Sequence, residues 1–205
     1  MKRLLRKIIR LPAINKIKEK ILEKKWNAGK MKFPPSIIKQ KNILEFAKRG
    51  GILSLIETGT YLGDTVYALK PHFIHIDSIE LSEELYNNAV KRFRNDANIT
   101  IWNGDSPEVL EKILLNKKDK VIFWLDAHYS DGVTSKSSTY GDSPIKQELN
   151  VIFKWWIAGS VILIDDARLF IGQDNYPLIS ELEVEVKNIF PSLTFEVKDD
   201  VIRIF

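Results

Sequence analysis

The sequence predicts an α/β protein built on a doubly wound, mostly parallel sheet that ends in an antiparallel hairpin. Three observations carry that prediction. Short apolar runs alternate with stretches of helical period from residue 52 to residue 189, the pattern of a parallel sheet covered on both faces. Each apolar run closes on a polar or acidic residue, and ligands of open α/β sheets bind at those carboxyl ends. Leu193 to Val197 and Val201 to Phe205 are separated only by Lys198-Asp199-Asp200. That gap is too short for a parallel crossover of about a dozen residues, so the two runs form a hairpin.

At 205 residues the chain can bury one full-sized core and carry an appendage. Its 44% hydrophobic and 28% charged content is that of an ordinary globular protein. Cysteine is absent, which excludes disulfides, thiolate metal sites and cysteine nucleophiles. No stretch reaches the roughly 20 apolar residues of a spanning helix. The amino-terminal apolar runs are interrupted by Arg6, Lys7 and Arg10, unlike a signal peptide, so a cytoplasmic location is expected. Ten Lys/Arg against Glu19 and Glu23 give residues 1–26 a charge of +8 and leave −4 on the other 179 residues, out of +4 in all. The basicity is confined to one tail instead of being spread over the fold, and no nucleic-acid partner is expected.

Taken in order, residues 1–26 place Leu4, Leu5, Ile8, Ile9 and Leu11 opposite Lys2, Arg3, Arg6, Lys7 and Arg10. A second helical run with Ile14, Ile17, Ile21 and Leu22 follows the break at Pro12. Such a basic amphipathic segment suits an in-plane contact with an anionic membrane. Equally, it suits packing of its apolar face on the body or on a second subunit of a homodimer. Gly29, Pro34 and Pro35 mark Asn27 to Pro35 as a linker, so the predicted division is 1–33 for the tail and 34–205 for the domain. A helix begins at Ser36 and stops at Gly50-Gly51. Strands are predicted near 52–57, 75–80, 99–103, 121–126 and 160–165, with helices near 63–70, 82–94, 106–116, 145–157 and 178–189. The one long irregular segment, Tyr129 to Ser143, has the length of a functional lid.

Candidate chemistry sits where the strands stop. Ile52 to Thr65 runs from apolar residues into Glu57 and then Gly59 and Gly63, a strand, a tight turn and a helix start in which glycine permits close approach of a ligand. The same spacing also describes a plain turn with close helix packing. Glu80 ends the second strand, where a carboxylate either accepts ribose hydroxyls or caps the following helix. Asp105 ends the third, suited to an adenine amino group or to capping. Asp126, with His128 two residues on, ends the fourth, and Asp165-Asp166 end the fifth. Three carboxylates on adjacent strand ends repel unless neutralised, by Mg²⁺ or another oxygen-ligated dication. The competing arrangement has one aspartate capping a helix and another paired with Arg168.

The set Glu-Thr-Gly-Thr-Tyr-Leu-Gly-Asp, Ser-Ile-Glu-Leu, Asn-Gly-Asp, Trp-Leu-Asp-Ala-His-Tyr and Ile-Leu-Ile-Asp-Asp-Ala-Arg resembles the class I S-adenosylmethionine-dependent methyltransferases. Within them it looks most like metal-dependent O-methyltransferases of the macrocin O-methyltransferase type, over about Pro34 to Phe205. The resemblance implies their Rossmann-like fold with its terminal hairpin. It implies S-adenosylmethionine held by Glu57, Gly59, Thr60 and Gly63 around the methionine part, Glu80 on the ribose and Asp105 on the adenine, with Asp126 beside them. It implies a metal at Asp126, Asp165 and Asp166. One departure stands out: Asp126-Ala127-His128 replaces the Asp-Gly-Asp of that type. His128 thereby becomes the candidate general base, since an imidazole titrates near neutrality, or else a further metal ligand or its support. The expected acceptor is a hydroxyl of a sugar, glycan or other small molecule, reached at the inner face of the membrane if the tail docks there. An RNA methyltransferase and a non-catalytic membrane-docked scaffold are the alternatives. Against the first, the Asn/Asp-Pro-Pro-Tyr type of strand-four motif is missing.

Overall fold

A computed structural model of the protein describes residues 12–127 and 143–205. The candidate base His128, residues 1–11 and the predicted lid up to residue 142 lie outside the described residues.

Helix α1 (Pro12–Asn27) opens with proline, whose missing N–H is no loss in a first helical turn. Its carboxyl-terminal end rests on the body. Trp26 Nε1 donates to Asp199 Oδ1 at 3.0 Å, and Glu23 pairs with Lys41. Ile17 and Ile21, by contrast, are 60% and 49% exposed. Helix α2 (Ser36–Gly50) ends where Gly51 turns left-handed, at φ 58°, and returns its N–H to the Ala47 and Lys48 carbonyls.

Seven strands follow: β1 (Ser54–Thr58), β2 (His75–Glu80), β3 (Ile99–Asn103), β4 (Val121–Leu125), β5 (Val161–Ile164), β6 (Phe195–Lys198) and β7 (Val201–Ile204). The helices between them are α3 (Asp64–Leu69), α4 (Glu83–Phe93), α5 (Ser106–Leu114), α6 (Ile145–Lys154) and α7 (Ile179–Ile189). The spatial order is β3-β2-β1-β4-β5-β7-β6. β1 to β5 pair in parallel, and β7 runs antiparallel to both β5 and β6. The hairpin is therefore where the sequence puts it, with one refinement: the reversed strand lies inside the sheet and β6 forms the edge. Asp199 and Asp200, at φ 55° and 62°, make the two-residue turn between them, the left-handed pair that matches strand twist.

Alternation explains the two faces. Leu55, Ile122 and Leu163 point to a core shared with Ile43 and Phe46 of α2, Val66 of α3 and Phe93 of α4. Their neighbours Ile56, Phe123 and Ile162 point to the other core, with Leu110 of α5, Leu149 of α6 and Val186 of α7. Strands buried on both faces read as unbroken apolar runs, which is what made them visible in the sequence. Helix α6 stops at Lys154, short of the predicted 157, where Trp155 leaves helical geometry at φ −108° and ψ 27°. Trp155 and Trp156 pack against the second core, and Trp156 lies 5.3 Å from the Phe190 ring. They are packing residues, as their apolar neighbours suggest. A 3₁₀ turn, Ala167–Leu169, follows β5 and was not predicted.

Candidate active site

The strand order reverses between β1 and β4, since β1 has β2 on one side and β4 on the other. The carboxyl ends of those two strands are the switch point at which such sheets bind ligands. The first wall is the turn after β1. Gly59 and Thr60 donate their N–H groups to the Ile79 carbonyl at 2.9 and 3.1 Å, which fastens the turn to β2. Beneath it runs a buried polar chain: Thr60 Oγ1 lies 2.7 Å from Ser78 Oγ, and Ser78 donates to the Glu57 carboxylate. Gly59 sits at φ 86°, and a Cβ there would lie 2.5 Å from the Asp126 carbonyl oxygen. Gly63 sits at φ 74°, and a Cβ there would lie 2.7 Å from the Phe93 ring.

Glu80 draws β2 to this turn. Its carboxylate accepts from Tyr61 N at 2.7 Å and from Ser82 N at 2.9 Å. Tyr61 adopts φ 49° to present that N–H, a strained geometry for a bulky residue. Burial pushes the Glu80 pKa up against the pull of these backbone donors. Asp105 occupies the N-cap position of α5, and its side chain makes no capping hydrogen bond.

The second wall is made by β4 and β5. Asp126 N donates to Thr58 O at 3.1 Å, which ties the end of β4 to β1. Asp165 and Asp166 are 3% and 6% exposed, and Asp166 is held at φ 56° with its N–H donated to Asp165 Oδ1 at 2.8 Å. The predicted repulsion is relieved by two cations of the chain itself. Lys39, in the first turn of α2, contacts Asp165 Oδ2 directly and lies 3.4 Å from Asp166 Oδ1. Arg168 Nη1 reaches Asp166 Oδ1 at 2.8 Å and also bonds Asp200. Burial and the neighbouring Asp126 carboxylate push Asp165 upward while Lys39 opposes them. For Lys39, burial favours the neutral amine, but Asp165 and Asp126 outweigh it and raise the pKa.

Asp126 and Asp165 share a small concavity with Ser143, Glu148, Phe170 and Tyr176. Glu148 and Tyr176 escaped the sequence reading. Burial raises Glu148 to about 7, against hydrogen bonds from Ser106 and Thr58, and raises Tyr176 to about 12. Burial likewise raises Glu57 to about 8, opposed by the bond from Ser78. Both glutamates thus hold protons more tightly folded than unfolded, where a value near 4.5 applies. Their contribution to stability is complete below that unfolded value and is lost as pH rises through about 7 to 8. We expect the urea midpoint of the unliganded protein to fall between about pH 5 and pH 8.5, and a Glu57→Gln/Glu148→Gln variant to flatten the profile. A variant as steep as wild type would show that other groups set the slope.

The divalent ion expected at Asp126, Asp165 and Asp166 does not fit this arrangement. Two of the three carboxylates are already committed to an ammonium and a guanidinium. Among the described residues no group of three or more His, Asp or Glu side chains could hold a metal ion. The Lys39 ammonium lies between two of the carboxylates to which the sequence assigned Mg²⁺. A sequence signal for it existed: Lys39 is spaced three, four and seven residues from buried Asn42, Ile43 and Phe46, on the inward stripe of α2, where a charge requires a buried partner.

Strand order, with its switch between β1 and β4, and the interior reversed strand are those of the Rossmann-like fold of class I S-adenosylmethionine-dependent methyltransferases. No protein-family model matches the chain, and no curated protein matches it. Solved structures do. One is the SAH-bound methyltransferase PaMTH1 of Podospora anserina, with TM-score 0.59 and 16% identity over 89% of this chain and 86% of that one. The O-methyltransferase TomG of Streptomyces achromogenes, in complex with SAM and involved in tomaymycin synthesis, has TM-score 0.59 and 13% identity over 89% and 87%. The SAH complex of the Bacillus cereus O-methyltransferase has TM-score 0.55 and 16% identity over 91% and 89%. At these identities the likeness is one of fold.

Proposed function

We propose that the chain is an S-adenosylmethionine-dependent O-methyltransferase that acts on a hydroxyl of a sugar, glycan or other small molecule. The observation that carries this reading is the joining of Glu80 to the β1 turn through Tyr61 N at 2.7 Å. It sets an acidic side chain from β2 beside the glycine turn of β1 at the switch point, where a nucleoside cofactor binds in this fold class.

The residues present fit that cofactor. Glu80 offers carboxylate oxygens to the ribose hydroxyls, Asp105 offers an acceptor at the end of β3 to an adenine amino group, and Gly59 and Thr60 line the turn. Glu57 and Ser78 lie beneath the turn and keep it in place. S-adenosylmethionine, when bound, supplies an electrophilic methyl group on a sulfonium. The chain's own task is to hold the acceptor oxygen in line with that methyl, which accounts for much of the acceleration in such transfers, and to receive the hydroxyl proton. The end of β4 is the place for this step. Asp126 stands there beside the crevice, and His128 follows as the candidate proton acceptor.

Calorimetric titration with S-adenosylmethionine, followed by a labelled-methyl screen of hydroxylated acceptors, tests the reading. Micromolar binding with product formed on a hydroxyl is the expected result. Absence of binding would leave the fold as a scaffold, and label appearing on RNA with a steep salt dependence would move the reading to nucleic acid.

A further inference from the structure

Among the described residues, Asp126, Asp165 and Asp166 bring three carboxylates to the second wall, and Lys39 and Arg168 bring two cations, the second of them shared with Asp200. The Asp165 side chain is wholly buried and that of Asp166 is 8% exposed, whereas Lys39 keeps 25% of its side chain exposed. Its ammonium reaches both aspartates. A dication entering the same place would have to displace the ammonium or sit beside it, and two such charges within about 4 Å repel strongly at a partly buried site. The helix cannot move aside freely. Asn42, one turn on from Lys39, accepts from the buried Arg203 guanidinium.

We propose that Lys39 is the resident cation of this cluster, positioning Asp165 and Asp166 in place of a divalent metal, so that the protein excludes the metal and its methyl transfer runs without one. The part about transfer rests on the function proposed above; the exclusion of metal does not. Lys39 is accordingly a positioning residue, acting through the carboxylates it holds.

Mn²⁺ is the probe, and its binding is read by the electron paramagnetic resonance of the free ion, a signal independent of activity. Wild type is expected to leave added Mn²⁺ free. Lys39→Met keeps the length of the side chain and removes its charge, and is expected to bind one Mn²⁺ at least about tenfold more tightly than wild type. Lys39→Arg should behave as wild type, and adding Asp165→Asn to Lys39→Met should abolish the gained site. If transfer is found, EDTA should leave it intact in wild type, while Mg²⁺ should partly restore it in Lys39→Met. Equal binding by wild type and Lys39→Met, or equal absence of it, overturns the proposal. A gained site that survives Asp165→Asn, or wild-type transfer lost in EDTA, does so too. The wild-type titration needs no variant to fold. Failure to bind S-adenosylmethionine would remove the proposed function and leave the Mn²⁺ comparison standing.

Discussion

Gly59→Ala is expected to destabilise the protein by about 2–5 kcal/mol and to lower its melting temperature by roughly 10 °C. Two effects add. An L-residue at φ 86° pays the left-handed penalty, and its Cβ would stand 2.5 Å from the Asp126 carbonyl oxygen and 2.9 Å from its carbon. Both are backbone atoms and cannot rotate away. Relief requires β1 and β4 to part at their carboxyl ends, where Thr58 O also binds Asp126 N at 3.1 Å. The crevice should therefore suffer with the fold, and S-adenosylmethionine affinity should drop in whatever fraction remains native. Gly51→Ala is the matched control. It too is left-handed, at φ 58°, but a Cβ there meets nothing within 4 Å. Thermal melts of the two variants separate the conformational term from the clash. Equal losses would mean that the contact with Asp126 contributes nothing.

The second large effect concerns the cofactor directly. Glu80→Ala is expected to weaken S-adenosylmethionine binding by roughly 100-fold or more, since hydrogen bonds to a charged group contribute about 1.5–3 kcal/mol each and 1.4 kcal/mol is a factor of ten. The ribose hydroxyls would lose their acceptors, and Tyr61 N and Ser82 N would lose theirs. With Tyr61 already at φ 49°, an unanchored turn should relax away from β2. Glu80→Gln retains one carbonyl acceptor and should fall between wild type and Glu80→Ala. Calorimetry measures all three. An unchanged dissociation constant in a folded Glu80→Ala protein would place the ribose elsewhere.

Most of the sheet was legible because its strands are buried on both faces. Val-Ile-Phe-Trp-Leu of β4 and Val-Ile-Leu-Ile of β5 are the unbroken apolar runs of strands covered on both faces. The hairpin was legible from loop length alone. The ends of elements were less so. Helix α6 keeps its apolar period through Trp155 and Trp156, so nothing local announces that the helix stops and the Trp156 ring meets Phe190. The 3₁₀ turn after β5 depends on Ala167 N and Arg168 N finding Asp200, on the hairpin turn. In the site, the strand-end residues Glu57, Glu80 and Asp126 were placed by counting along single strands. Lys39 was missed because its partner Asp165 lies 126 positions away. Its spacing on the inward face of α2 was there to be read, but a spacing gives the need for a partner without its name. Glu148 was hidden for the opposite reason. An acid within an amphipathic helix reads as a solvent-facing residue, and it is the packing of α6 on α5 and on the strand ends that buries it.

The hairpin turn also bears on when the crevice can exist. Asp199 bonds Trp26 of α1 and Arg203, while Asp200 holds Arg168 beside the acidic pair. Arg203 in turn grips Asn42 on the helix that carries Lys39. During synthesis all of these partners wait for residues 199–204, which are made after every other part of the site. β7 must then enter between β5, already made, and β6, so the sheet cannot be completed in the order in which its strands appear. The nascent chain thus exposes the β5 edge until those few residues arrive, and assembly of the β4 and β5 wall is a late event governed by contacts distant in sequence.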